Sequence, residues 1–171
     1  MSNYAVSASA DDETVGHGAS TTGVDLIAKV LNSAGGLISN GRALIDTSAI
    51  GTDVISAATL YWYHVVYTKT KAATFHRRIN IDDILVGLSI LDSAATPAAA
   101  GWHSEVLTPG EIALINKTGY TELFFLVDDP GGAYDRYWEV QSWDYGDHSR
   151  ACYLAATHAA AGGPTKFSIL R

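Results

Sequence analysis

Six histidines, three runs of adjacent carboxylates, one cysteine and a dense set of aromatic rings are the side chains that could do chemistry in this sequence. The histidines (His17, His64, His76, His103, His148 and His158) are scattered, with no His-x-His or His-x-x-x-His pair to offer two imidazoles to one metal. His64 falls in a strand-like run between aromatics, where a hydrogen-bonded core imidazole is the commoner role. Spacing leaves open only a metal site assembled from distant strands.

The paired carboxylates are Asp11-Asp12-Glu13, Asp82-Asp83 and Asp128-Asp129. Neighbours on a strand point to opposite faces, so they do not converge as a catalytic dyad without a special turn. Asp128-Asp129-Pro130-Gly131 has ordinary turn chemistry; its oxygens suit calcium, but the EF-hand spacing is missing. Cys152 precedes Tyr153-Leu154 in a strand-like run, the setting of a buried structural thiol rather than a nucleophile. Gly-x-Ser-x-Gly, a P-loop and Gly-x-Gly-x-x-Gly are all absent. No enzyme is expected, and neither a cofactor nor a metal. A hydrolase on this chain would need a site built wholly from long-range contacts.

Aromatic content is what remains. Four Trp and nine Tyr include the clusters Tyr61-Trp62-Tyr63 and Tyr137-Trp138, with Tyr134, Trp143 and Tyr145 nearby. Rings of this size fill sandwich cores, which accounts for Trp62 and Trp138. Trp102 and Tyr145 fall in loop-like stretches, where exposed rings meet a partner or a sugar.

The elements that must carry these rings are strands. Val54 to Tyr67 is the longest candidate, with Leu60, Trp62 and His64 on one face and Thr59, Tyr61, Tyr63 and Val65 on the other. Both faces are largely apolar or aromatic, which predicts a central strand covered on both sides. Further strands are expected at residues 42–46, 74–81, 85–91, 105–107, 122–127, 134–143, 151–157 and 166–170, separated by turn residues. Residues 24–31 read equally as strand or helical turn. Thr108-Pro109-Gly110-Glu111 is a capping box with proline at the first helical position, and it predicts a helix over about 109–118. About nine strands and one short helix specify an all-β fold, a jelly-roll β-sandwich. Residues 1–23, rich in Ser, Ala, Thr, Gly and Asp, read as an extended N-terminal arm, and 24–171 as the sandwich domain. The arm's small side chains (with Tyr4, Val6 and Asp11 as contact candidates) allow close approach to a neighbouring subunit.

Composition narrows the partners. The chain has 171 residues, 47% of them hydrophobic and only 17% charged, enough apolar material for one core of roughly 8,100 Å² folded surface. Eleven basic against eighteen acidic residues give a net charge of −7, and Arg77-Arg78 is the one basic pair, which argues against nucleic acid. The start lacks the basic and apolar regions of a signal peptide, and no apolar run is long enough to span a membrane. Synthesis in a reducing cytoplasm is expected.

The run Ala43-Leu44-Ile45-Asp46-Thr47-Ser48-Ala49-Ile50, followed by Val54-Ile55-Ser56-Ala57-Ala58-Thr59-Leu60-Tyr61-Trp62-Tyr63, resembles a recurrent segment of jelly-roll modules. Its usual form is FDTSSI, a short gap, then ITSATLYLY. The segment occurs in virion structural proteins of tailed bacteriophages and in non-catalytic carbohydrate-binding modules. The capped stretch Thr108–Gly119 and Tyr137-Trp138-Glu139-Val140 are also similar to the phage version, so the likeness spans about residues 41–143. Ile45 stands for the usual Phe and Ala49 for a Ser, and the Arg-Pro-x-Leu-x-Val close is missing. The resemblance implies a capsid decoration or head/tail accessory protein, a homo-oligomer such as a trimer, located in the virion and docked on major capsid subunits. Its alternative implication is a glycan-binding, host-recognition module. On that reading Trp143 and Tyr145 with Arg136 and Tyr137 would contact sugar, whereas Trp102, Trp143 and Tyr145 would contact protein on the first.

Overall fold

β-branched and aromatic residues alternate through most of the chain, and the backbone they produce is a set of paired strands. In the computed structural model, residues 3–4, 12–16, 19–21, 25–31, 37–69, 76–81, 93–94, 100–128, 136–141 and 149–170 are described, with side chains over 41–65, 78–81, 100–126, 140–141 and 149–170. The strands are β1 (Asn3–Tyr4), β2 (Asp12–Gly16), β3 (Ala19–Thr21), β4 (Asp25–Leu31), β5 (Leu37–Asp46), β6 (Val54–Lys69), β7 (His76–Ile81), β8 (Ser93–Ala94), β9 (Gly101–Val106), β10 (Tyr120–Asp128), β11 (Arg136–Gln141), β12 (Tyr153–Ala159) and β13 (Lys166–Leu170). A 3-10 turn at Ser48–Ile50 and one helix, α1 (Pro109–Ile112), interrupt them. The fold is an all-β sandwich. The ambiguous run at 24–31 is strand over Asp25–Leu31, while the strand expected at 85–91 lies outside the described residues.

β6 organises both layers. Thr59–Tyr61 pair with β12 and also with β9, so those two strands flank β6 on opposite edges. His64 pairs with Gly101 of β9 and with Val140 of β11, so β11 takes over the edge that β12 leaves. The first half of β6 therefore belongs to a layer ordered β9–β6–β12–β13–β1. Its second half leads through β11 into β4–β5–β10–β7–β8, with β2 added to β5 and β3 to β2. Pairing is antiparallel throughout these ladders except for β1 on β13, where Asn3 and Tyr4 lie opposite Ile169 and Leu170 in parallel.

The core lies between the layers. Ala58, Leu60 and Trp62 of β6, Leu154 and Ala156 of β12 and Leu170 of β13 meet Ala43 and Ile45 of β5, Ile79 and Ile81 of β7, and Leu123 and Phe125 of β10. Trp62 is 1% exposed. Burying 150–250 Å² of indole corresponds to about 4–6 kcal/mol of transfer free energy, so this ring is a principal anchor of the first layer on the second.

The Asp46-Thr47-Ser48 stretch ends β5 by side-chain bonding. Asp46 Oδ1 accepts from Ser48 N at 2.9 Å. The buried Thr47 hydroxyl lies 2.5 Å from the Asn116 carbonyl oxygen, 2.9 Å from that of Gly119 and 2.8 Å from Thr121 Oγ1. Gly51, at φ +58, closes the turn and donates its N–H to the Lys117 carbonyl. These bonds tie the β5–β6 corner to the segment after α1.

They also bear on the helix, which is shorter than predicted. The capping box forms as expected: Thr108 N donates to Glu111 Oε2 at 2.6 Å, and Glu111 N donates to Thr108 Oγ1 at 3.4 Å. Yet α1 ends at Ile112, not near 118. Leu114 and Ile115 donate to carbonyls three residues back, which tightens the turn. Asn116 N then donates to Thr121 Oγ1, and the carbonyls of Asn116, Lys117 and Gly119 are taken by Thr47 and Gly51. Tertiary hydrogen bonds replace the helical ladder from that point on.

Candidate functional site: an aromatic outer face

Register decides what the outside of the first layer displays. In antiparallel pairs, directly opposed residues share a face, so Tyr61 brings Tyr153 and Ser104 with it, and Tyr63 brings Trp102. Thr59 brings Ala155 and Val106, and β13 adds Phe167 opposite Thr157 and Ile169 opposite Ala155. This face points away from Leu60 and Trp62. Trp102, Val106 and Phe167 are 44%, 70% and 52% exposed.

The rings brace one another. Tyr61 and Tyr153 stack face to face, with centroids 4.6 Å apart and planes within 8°. Trp102 meets Tyr63 edge-on at 5.7 Å and Tyr153 at 5.5 Å. The Arg150 guanidinium carbon sits 4.4 Å from the centre of the Tyr63 ring, a cation–π contact that fixes the far side of the cluster. Four strands at about 4.8 Å spacing and some six residues of strand length make a face of about 14 by 20 Å, roughly 300 Å². With Thr59, Ser104 and Thr157 among its residues, this face is at the lower end of the roughly 300–600 Å² that the largest apolar patch of an ordinary soluble monomer reaches. The other layer is different: its outward Arg42 forms an ion pair with Glu122.

A second cluster lies at the inner edge of the same layer. His158, 3% exposed, places Nδ1 2.8 Å from Asp53 Oδ2 and Nε2 2.8 Å from Ser168 Oγ. Lys166 Nζ donates to Asp53 Oδ2 at 3.1 Å, and Lys117 Nζ donates to the Asp53 carbonyl at 3.1 Å. Hydrogen bonds from His158 and then Lys166 hold the Asp53 carboxyl below its ordinary value of 3.8, against the opposing cost of burial. A cavity of about 210 Å³ begins at the next residues, lined by Val54, Ile55, Ile112, Ala113, Ile115 and Lys117.

Of the residues singled out in the sequence, Trp102 belongs to the aromatic face. It is on strand β9, however, not in a loop, because Gly101–Val106 pairs with His64–Thr59 along its whole length. Tyr4 is placed by its backbone in β1, opposite Leu170. Val6, Asp11, Trp143 and Tyr145 lie outside the described residues. Sequence reasoning missed Tyr153 and Arg150, and it gave Tyr61 and Tyr63 to a covered face. Alternation places Tyr61 and Tyr63 together but says nothing about which face a second layer covers. The Asp53–His158–Ser168 cluster left no local signal, since its members are 105 and 10 residues apart.

No family model matches this chain, and no curated protein does. Among solved structures, it is similar to the pilus backbone (RrgB) from Streptococcus pneumoniae, at 13% identity and a TM-score of 0.31. The match covers 90% of this chain and 53% of that one, so it spans about half of the pilus protein's length. At that score the likeness transfers no property.

Proposed function

We propose that this protein is a structural protein of a bacteriophage particle, a capsid decoration or head/tail accessory protein, and that the outer face of β6, β9, β12 and β13 docks it on other virion subunits. The family assignment rests on the Asp46-Thr47-Ser48 and Thr59-Leu60-Tyr61-Trp62-Tyr63 motifs. The docking role rests on one observation: Trp102, braced by Tyr63 and Tyr153, stands exposed on the same face as Val106 and Phe167.

Rigid aromatic anchors at the centre of an apolar patch are what binding hot spots consist of. A patch of roughly 300 Å² is less than half of the ~800 Å² per partner in a standard interface, so each contact is weak by itself. Repetition over a symmetric lattice, or within a homo-oligomer such as a trimer, supplies the avidity. A sugar platform would offer free ring faces to the ligand. Tyr61 and Tyr153 instead spend a face on each other, an arrangement that favours a protein partner over a glycan.

The test is co-sedimentation with particles assembled from the same genome but lacking this protein. Wild type is expected to pellet with them, and Val106→Asp, which puts a charge in the patch without touching the core, is expected to stay in the supernatant. Equal pelleting of the two, or glycan-array binding lost on Trp102→Ala, would overturn the proposal.

A further inference from the structure

We propose that Ser168 is an activated nucleophile, poised by His158 and Asp53 for acyl transfer from small carboxylic esters. This goes beyond the docking role and does not depend on it. The three side chains form an unbroken chain of 2.8 Å hydrogen bonds from carboxylate to imidazole to hydroxyl. His158 and Ser168 come from the β12–β13 hairpin, and Asp53, 105 residues from His158, completes the chain.

The proton positions follow from the partners. An ionised Asp53 can only accept, so His158 Nδ1 carries the hydrogen it shares with that carboxylate. In the neutral imidazole, Nε2 is then a bare acceptor, and Ser168 must donate its O–H to it. That is the arrangement in which a histidine acts as general base toward a serine, while the carboxylate fixes the tautomer and stabilises the imidazolium. His158 and Asp53 are buried, whereas Ser168 is only half-buried on strand β13. Lys166 lies two residues before Ser168, on the same face of β13, and brings a cation to the cluster. The mostly apolar cavity lined by Val54, Ile55, Ile112, Ala113, Ile115 and Lys117 begins at the residue after Asp53, and Ile55 lies directly opposite His158 in the β6–β12 ladder, so it is the adjacent space for a short acyl chain.

In the proposed step, Ser168 Oγ attacks the ester carbonyl carbon and its proton passes to His158 Nε2. The bond from that carbon to the leaving alcohol's oxygen breaks, and His158 returns the proton to the departing alkoxide. This leaves an acyl ester on Ser168. Water, deprotonated by the same nitrogen, then cleaves that ester to release the carboxylic acid and restore the serine.

The experiment is labelling of the intact protein with a fluorophosphonate, read by mass and peptide mapping. One adduct on Ser168 is expected, absent in Ser168→Ala and formed at least about 100-fold more slowly in His158→Gln, the usual contribution of a general base. Should His158→Gln fail to fold, wild type in urea is the control, and the folded protein must react at least about 100-fold faster than the unfolded chain. No adduct on the folded wild type, or equal rates with and without His158 or the fold, would overturn the proposal and leave the cluster a structural clamp only.

Discussion

The two faces of β6 are built from similar residues and meet opposite fates. Ala58, Leu60, Trp62 and His64 are buried between the layers, while Thr59, Tyr61 and Tyr63, alternating with them, stay partly open beneath Trp102 and Arg150. Composition does not separate a core face from an open face. The separation comes from what is laid across each one: β5, β7 and β10 cover the first, and among the described residues the second is braced by rings from its own layer and by Arg150.

The largest effect should come from the buried side. Trp62→Ala removes an indole from a close-packed interior and is expected to cost about 3–5 kcal/mol in urea unfolding. Trp102→Ala, the equivalent truncation on the open face, is expected to cost about 1 kcal/mol, from lost edge contacts. Similar losses for both would erase the distinction between the faces. Thr47→Val comes next. It strips the hydroxyl from the Asn116 and Gly119 carbonyls and from Thr121, and should cost about 1–2 kcal/mol by the same measurement, because Thr47 and Thr121 are buried.

The smallest effect is a pH dependence at the edge of the inner face. Asp53 has its pKa lowered by His158 and Lys166, so its stabilisation is fully present above the unfolded value of 3.8 and is lost as pH falls below it. The stability gap between wild type and Asp53→Asn is therefore expected to be constant near neutral pH and to narrow below about pH 4. A gap that stayed level into acid would mean the carboxylate is not held by those partners.

Much of this fold can be read from local pattern. The capping box at Thr108–Glu111, the extent of β6 and the strand at Lys166–Leu170 follow from residue types and their spacing. The early end of α1 does not, because it depends on Thr47 reaching carbonyls some seventy residues away. Nor does the placement of Trp102 on a strand: Gly101-Trp102-His103-Ser104 has weak strand propensity, and pairing with β6 overrides it. The aromatic face was half legible, since period two groups Tyr61 with Tyr63, but Tyr153 and Arg150 join them only through the β6–β12 ladder and the turn before it. The Asp53–His158–Ser168 chain is the extreme case, a geometry that exists only once the β12–β13 hairpin has met the residue that precedes β6.

A cryo-electron microscopy reconstruction of the phage particle that the proposal assigns to this protein would test the docking claim most directly. Trp102 and Val106 are expected to be buried against a neighbouring subunit, with Tyr61 and Tyr153 still stacked beneath them. A particle that carries the protein with this face open to solvent, or one that lacks the protein altogether, would contradict the claim.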